Sequence, residues 1–157
     1  MTRKISPVSV GRVISGGQTG VDQGALDAAI ELGFDHGGWC PRGRLSESGP
    51  IPDQYQLVET DSSEYWVRTE RNVIDSDATL ILYLESLSGG TELTRRLAQK
   101  HGRPCRCVDL SGSPSAKEAR LWIAAHQMRV LNVAGPRESG APGVAELARE
   151  YVVALLG

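Results

Sequence analysis

The chain has 157 residues, 40% of them hydrophobic and 23% charged, with a formal net charge of −2. That is the make-up of one globular domain, large enough to close a core without a metal or disulfide staple. There is no basic stripe for nucleic acid and no apolar run of membrane-spanning length. Met1–Val10 carries Arg3 and Lys4 but no apolar signal core, so a cytoplasmic protein is expected.

The elements follow one another as short β-branched runs alternating with helical stretches. Residues 1–10 read as a flexible lead-in and 11–157 as a single ligand-binding domain. Arg12–Ser15 is the first strand. Val21–Leu32 is a helix with Val21, Ala25, Ala29 and Leu32 on one face, stopped by Gly33. A short strand follows at Gly37–Cys40, then a Gly/Pro/Ser-rich loop over Pro41–Gln54 whose length suggests function. Tyr55–Glu59 reads as a further strand. Asp61, Ser62 or Ser63 can cap a helix reaching Asp75.

Ala78–Leu84 (ATLILYL) is apolar almost throughout, which places it in the centre of a parallel sheet with both faces covered. After the Ser86–Gly90 loop come a helix over Thr91–His101, a strand over Pro104–Leu110 and a helix over Ser115–Met128. A last strand spans Val130–Ala134, a Gly/Pro loop spans Gly135–Gly143, and a closing helix spans Val144–Leu156. Strands alternating with helices of this length imply right-handed βαβ units. The expected fold is a Rossmann-like three-layer α/β/α arrangement, a mainly parallel sheet flanked by helices. The odd cysteine count (Cys40, Cys105, Cys107) fits reduced thiols. Cys105 and Cys107 lie two apart in one strand and so share a face, as two small buried hydrophobes rather than a soft-metal pair.

In such sheets ligands bind at the carboxyl ends of the strands, where the strand order reverses. Three loops there are rich in glycine and small polar residues. The first is Ser15-Gly16-Gly17-Gln18-Thr19-Gly20, running into Val21-Asp22. Its glycines allow close backbone approach, and the helix behind it offers free N–H groups and the positive dipole end, a pairing that suits an anion. Asp22, in the first helical turn, either complements the dipole or bonds a polar ligand.

The second loop is Leu87-Ser88-Gly89-Gly90-Thr91, with Thr91 a candidate cap. The third is Gly135-Pro136-Arg137-Glu138-Ser139, where Arg137 can offer a fork of donors to an oxyanion. Arg42 and Arg44, in Pro41-Arg42-Gly43-Arg44, can clamp phosphate or molybdate. Arg68 and Arg71 lie three apart on one helical face, within reach of Glu64, Glu70 or Asp75. His36, His101 and His126 are scattered without metal spacing, and there is neither a Walker A motif nor a G-x-S-x-G elbow. The residues therefore speak for binding more than for catalysis, and no metal ligands are assigned.

The stretches ISGGQTGVDQGALDAAIELG (14–33), GWCPRGR (38–44), RTERNVIDSDATLILYLESLSGGTELT (68–94) and LNVAGPRESGAPGV (131–144) together resemble the molybdenum cofactor carrier family, from about residue 11 onward. The resemblance implies a small oligomeric Rossmann-type protein, a homo-oligomer (dimer or tetramer), that holds molybdenum cofactor (molybdopterin) or molybdate as a bound ligand rather than as a catalytic cofactor. It implies a small-molecule anionic ligand met by Gly16, Gly17, Gln18, Thr19, Gly20, Asp22, Ser88, Gly89, Gly90 and Thr91. Arg42, Arg44 and Arg137 are candidate partners, and molybdoenzymes would be the recipients. Trp66 and Trp122 can pack between subunits or in the core.

The same architecture is similar to the wider lysine-decarboxylase-like group, which includes cytokinin-activating phosphoribohydrolases. Glu70-Arg71-Asn72, SDATLIL and Gly89-Gly90-Thr91 echo that group's Glu-Arg-Lys segment and P-G-G-x-G-T-x-x-E loop. An alternative function is thus a nucleoside-monophosphate hydrolase with Arg71 and Glu92 as site residues, or a nucleotide-sensing module. Thr94 stands where those hydrolases keep a catalytic Glu, and Glu92 lies two residues away, about 200° around the helix.

Overall fold

The computed structural model describes residues 8–157. Five strands form one parallel sheet in the order β2-β1-β9-β7-β8. They are β1 (Arg12–Ile14), β2 (Asp35–Gly37), β7 (Ala78–Tyr83), β8 (Cys105–Asp109) and β9 (Val130–Ala134). Between β2 and β7 lie two small pairs. β3 (Trp39–Cys40) runs parallel to β6 (Val58–Glu59), and β4 (Leu45–Ser46) forms a hairpin with β5 (Gly49–Pro50). Five helices surround the sheet: α1 (Val21–Leu32), α2 (Tyr65–Ile74), α3 (Gly89–Lys100), α4 (Lys117–His126) and α5 (Val144–Leu156). This is the three-layer Rossmann-like arrangement expected.

Strand alternation divides the core. Val13, Leu80, Leu82, Leu131 and Val133 point to one face and pack with Ala25 and Ala29 of α1, Ile123 of α4 and Val152 and Leu155 of α5. On the other face Val73 of α2 packs with Leu97 and Ala98 of α3, next to Cys105. β7 is buried through Leu82, as its unbroken apolar run requires. It is not the middle strand: β9, the last in sequence, inserts between β1 and β7. Asp77 helps fix that insertion, since its Oδ2 accepts the N–H groups of Arg129 and Val130, both at 2.9 Å.

Several expectations shift in detail. Of the lead-in, residues 1–7 lie outside the described residues, whereas Val8 and Val10 are packed in the core. The strand read over Gly37–Cys40 is two strands, because Gly38, at φ 126°, turns the chain between sheets. The loop at 41–54 contains the β4–β5 hairpin. Helix α2 begins after Glu64 without a side-chain cap, so none of Asp61, Ser62 and Ser63 serves as one. Ser88, not Thr91, caps α3; Thr91 is the third helical residue and completes a capping box. Cys105 and Cys107 are half-buried rather than fully buried, and all three cysteines are free.

Candidate functional site

The strand order places the site. β1, β9 and β7 are neighbours, so the three loops leaving their carboxyl ends stand side by side, with the turn after β9 in the middle. They surround a cleft of about 380 Å³ that also receives Tyr65, Trp66, Arg68 and Thr69 from α2. A shallow hollow of about 490 Å³ beside Arg120 and Leu121 gathers no comparable set of donors.

The first loop is folded upon the protein itself. Gly17 and Gly20 have φ of 81° and 84°. A methyl at Gly20 would lie 2.7 Å from the nitrogen of Glu138 and closer still to Pro136 O. A methyl at Gly17 would run into Leu57 and Ile51, and one at Gly16 would strike the Arg68 guanidinium. These glycines thus serve contacts within the protein. Three N–H groups of the turn are engaged as well: Gln18 N donates to Asp22 Oδ2 at 3.1 Å, Thr19 N to Gln18 Oε1 at 3.0 Å, and Val21 N to Pro136 O at 3.2 Å. The anion at this helix start is Asp22. Its carboxylate also lies 3.5 Å from Arg68 Nη1, and burial pushes the carboxyl above its ordinary range despite that cation.

The start of α5 is closed in the same way. The Glu138 carboxylate accepts from Gly143 N at 2.6 Å and Ala145 N at 3.0 Å. Glu47, at the hairpin tip, joins the loops by accepting from Thr19 Oγ1, Ser139 Oγ and Ser139 N. These bonds hold its carboxyl below the usual range.

The start of α3 is different. Ser88 caps it, but Gly89 and Gly90, which line the cleft, are exposed, with open space where side chains would be, and their N–H groups have no acceptor among the described residues. Gln18 lines the same cleft, and it is only 5% exposed. Its Oε1 takes the N–H of Thr19 and, at 2.9 Å, that of Glu47, which fixes the amide's orientation. Its buried Nε2 is left as a donor without a partner. Such an atom ordinarily costs about 1–3 kcal/mol unless something accepts from it. Cations complete the arrangement. Two guanidinium groups lie near the Tyr65 ring, Arg68 5.3 Å from its centre and Arg137 5.8 Å away.

Among the expected residues, Gln18, Ser88, Gly89, Gly90, Thr91 and Arg137 therefore meet in one cleft. Gly16 and Asp22 line a smaller hollow beneath it, while Gly17, Gly20 and Thr19 are committed to packing and loop contacts. Arg44 is spent elsewhere: its guanidinium donates to the carbonyls of Ile51, Pro52 and Tyr55. Arg42 is exposed and lines neither space. Arg71 stacks 4.2 Å over Trp39, and Glu92 pairs with Arg95, so the alternative catalytic pair does not assemble in the cleft. Glu70 binds His101 and Lys100 instead of an arginine. Trp122 packs against the core of its own chain, and Trp66 stands half-exposed in the cleft wall.

The sequence reading missed Arg68, Tyr65 and Thr69 as site residues. Their signal was faint: one helical turn set against the glycine loop, with nothing local to separate Arg68 from Arg71. Burial raises both thiol pKa values, that of Cys105 to about 12, so Cys105 and Cys107 are protonated at neutral pH.

The geometry agrees with what the chain is similar to. No curated relative matches it. A crystal structure described as "Putative molybdenum carrier protein", from Syntrophus aciditrophicus SB, is 40% identical. The match covers 97% of this chain and 98% of that one, with a TM-score of 0.90. This bears out the resemblance to the molybdenum carriers. The model of the circularly permutated YpsA SLOG family matches residues 13–156, nearly the whole chain, and the protein belongs to that family.

Proposed function

We propose that the protein binds and carries a phosphate-bearing or oxyanionic small molecule in the cleft at the start of α3. The observation that carries this reading is the pairing of an open helix N-terminus with the buried, unpartnered Nε2 of Gln18 in one cleft. Exposed N–H groups and the helix dipole suit an anion. Gln18 would donate to an oxygen or ring nitrogen of the same ligand. Arg137, and Arg68 deeper in, would add charge-assisted bonds.

The name of the Syntrophus protein supports molybdenum cofactor or molybdate as the cargo. In that reading the cofactor's terminal phosphate sits on Ser88-Gly89-Gly90-Thr91, its flat ring lies along Trp66, and the whole is handed on to a molybdoenzyme by a cytoplasmic homo-oligomer. Binding would need no covalent step, and the cleft contains no nucleophile–base pair among its described lining.

The test is titration of the purified protein with molybdenum cofactor, molybdate and nucleoside monophosphates, with product analysis. Saturable cofactor binding without turnover is expected. Indifference to cofactor and molybdate, with nucleotide bound intact, would make the protein a nucleotide sensor. Free base released in proportion to protein would make it a hydrolase.

A further inference from the structure

We propose, resting on the reading of this cleft as an anion site, that Asp22 and Arg68 couple anion binding to proton uptake. The incoming anion draws the Arg68 charge toward the cleft, and the carboxylate beneath takes one proton from solvent. Arg68 is placed for this. Its side chain is 12% exposed and that of Asp22 is 7% exposed. Arg68 lines both the outer cleft and the inner hollow of about 40 Å³, as Thr69 and Gly135 do, and is the one charged residue common to the two. It holds Gly16 O at 2.9 Å but stands 3.5 Å from Asp22 Oδ2, a looser contact than a hydrogen bond.

Asp22 also accepts from Gln18 N, and bonds from Ser15 and Gly16 favour its charged form, but all of these are neutral donors. The groups facing it across the hollow are neutral: Asn132 from β9, Thr94 from α3, and Thr69 and Asn72 from α2. Arg68 is the one other charged residue lining that hollow. His36 and His101 are engaged with Gln56 N and Glu70, and neither they nor His126 lines the cleft or the hollow.

One cation is therefore shared between a buried carboxylate and the space a ligand would fill. A dianion near Arg68 competes for that cation and repels the carboxylate, and both effects favour the protonated acid. Burial raises the carboxyl above its ordinary range, the same direction as this change. The balance is simple: carboxylate, proton and dianion go to carboxylic acid and bound dianion. Affinity then rises as pH falls between the Asp22 pKa of the free protein and the higher one of the complex, and release is favoured as pH rises through that interval.

Sulfate is the suitable probe, since its charge is constant over the range that matters. Calorimetric titration of the whole chain with sulfate from about pH 5 to about pH 8, in two buffers of different ionisation enthalpy, should show uptake approaching one proton. The affinity should change by up to about tenfold per pH unit. Asp22→Asn should abolish the uptake and flatten the profile while binding sulfate at least as tightly. If sulfate binds wild-type protein with buffer-independent heats and a flat profile, the coupling is overturned even though the cleft is an anion site. The coupling is equally overturned if Asp22→Asn keeps the slope. The wild-type comparison decides alone where the variant does not fold. Sulfate that binds at no pH contradicts the anion site itself and removes the coupling with it.

Discussion

The turn after β1 and the turn before α3 are built from the same kinds of residue, Ser15-Gly16-Gly17-Gln18-Thr19-Gly20 and Leu87-Ser88-Gly89-Gly90-Thr91, on the same edge of one sheet. Their roles diverge. In the first, glycine permits the protein to pack against itself: Arg68 lies over Gly16, Ile51 and Leu57 over Gly17, and the 136–138 loop over Gly20, while Asp22 takes the anion's place. In the second, Ser88 caps the helix but glycine leaves the space over Gly89 and Gly90 open. The start of α5 sides with the first, because Glu138 fills it. At the starts of α1 and α5 a local carboxylate accepts backbone N–H groups, whereas at the start of α3 the first-turn Glu92 turns to Arg95 and the N–H groups of Gly89 and Gly90 keep no acceptor among the described residues. A glycine-rich turn is thus evidence of close approach, and only the surrounding partners tell whether what approaches is the protein or a ligand.

This contrast can be broken experimentally, and the largest effect belongs to the closed turn. Gly20→Ala forces a side chain at φ 84° against Pro136 O and Glu138 N, and should destabilise the fold by about 3 kcal/mol or more in denaturant unfolding. A loss under about 1 kcal/mol would mean that the loops separate easily and that the closed turn is a potential site after all.

Glu138→Ala uncaps α5 and should cost about 1–2 kcal/mol of stability while leaving anion affinity unchanged. Arg137→Ala should do the reverse. Its exposed guanidinium packs beside Tyr65 and forms no ion pair among the described residues, so stability should hold and affinity for a dianion should fall about tenfold, measured by titration.

The smallest effect is in pH. Bonds from Ser139 and Thr19 lower the folded-state pKa of Glu47, so its contribution to stability is present above the ordinary carboxylate pKa and is lost as pH falls through the depressed value. Melting temperatures of wild type and Glu47→Gln should therefore differ near neutrality and converge on acidification.

Much of this was legible from local pattern. The bounds of α1, α5 and β9 agree with the sequence reading, because each has a glycine marking one end: Gly33 after α1, Gly143 before α5, Gly135 after β9. β7 showed itself through its apolar run, yet its rank in the sheet did not, since the insertion of β9 is a long-range pairing that no window of sequence contains. The three loops were legible as a group. What each packed against was not, because those contacts are distant in sequence: Gly16 O with Arg68, Glu47 with Ser139, Gly20 with Pro136. Arg44 misled for the same reason, as its charge is spent on carbonyls seven to eleven residues ahead.

The central claim is that the open start of α3 holds the ligand, and Gly89→Asp tests it most directly. The position has open space for the new side chain, and an acidic residue in the first helical turn favours the helix, so the variant should fold with unchanged or slightly higher stability. Its carboxylate would occupy the anion's place. A carrier cleft at α3 predicts that affinity for molybdenum cofactor and for molybdate falls by about a hundredfold or more in a protein that melts as the wild type does, an effect of charge repulsion and lost N–H donors together. Full affinity in a stable Gly89→Asp protein would contradict it and place the ligand elsewhere.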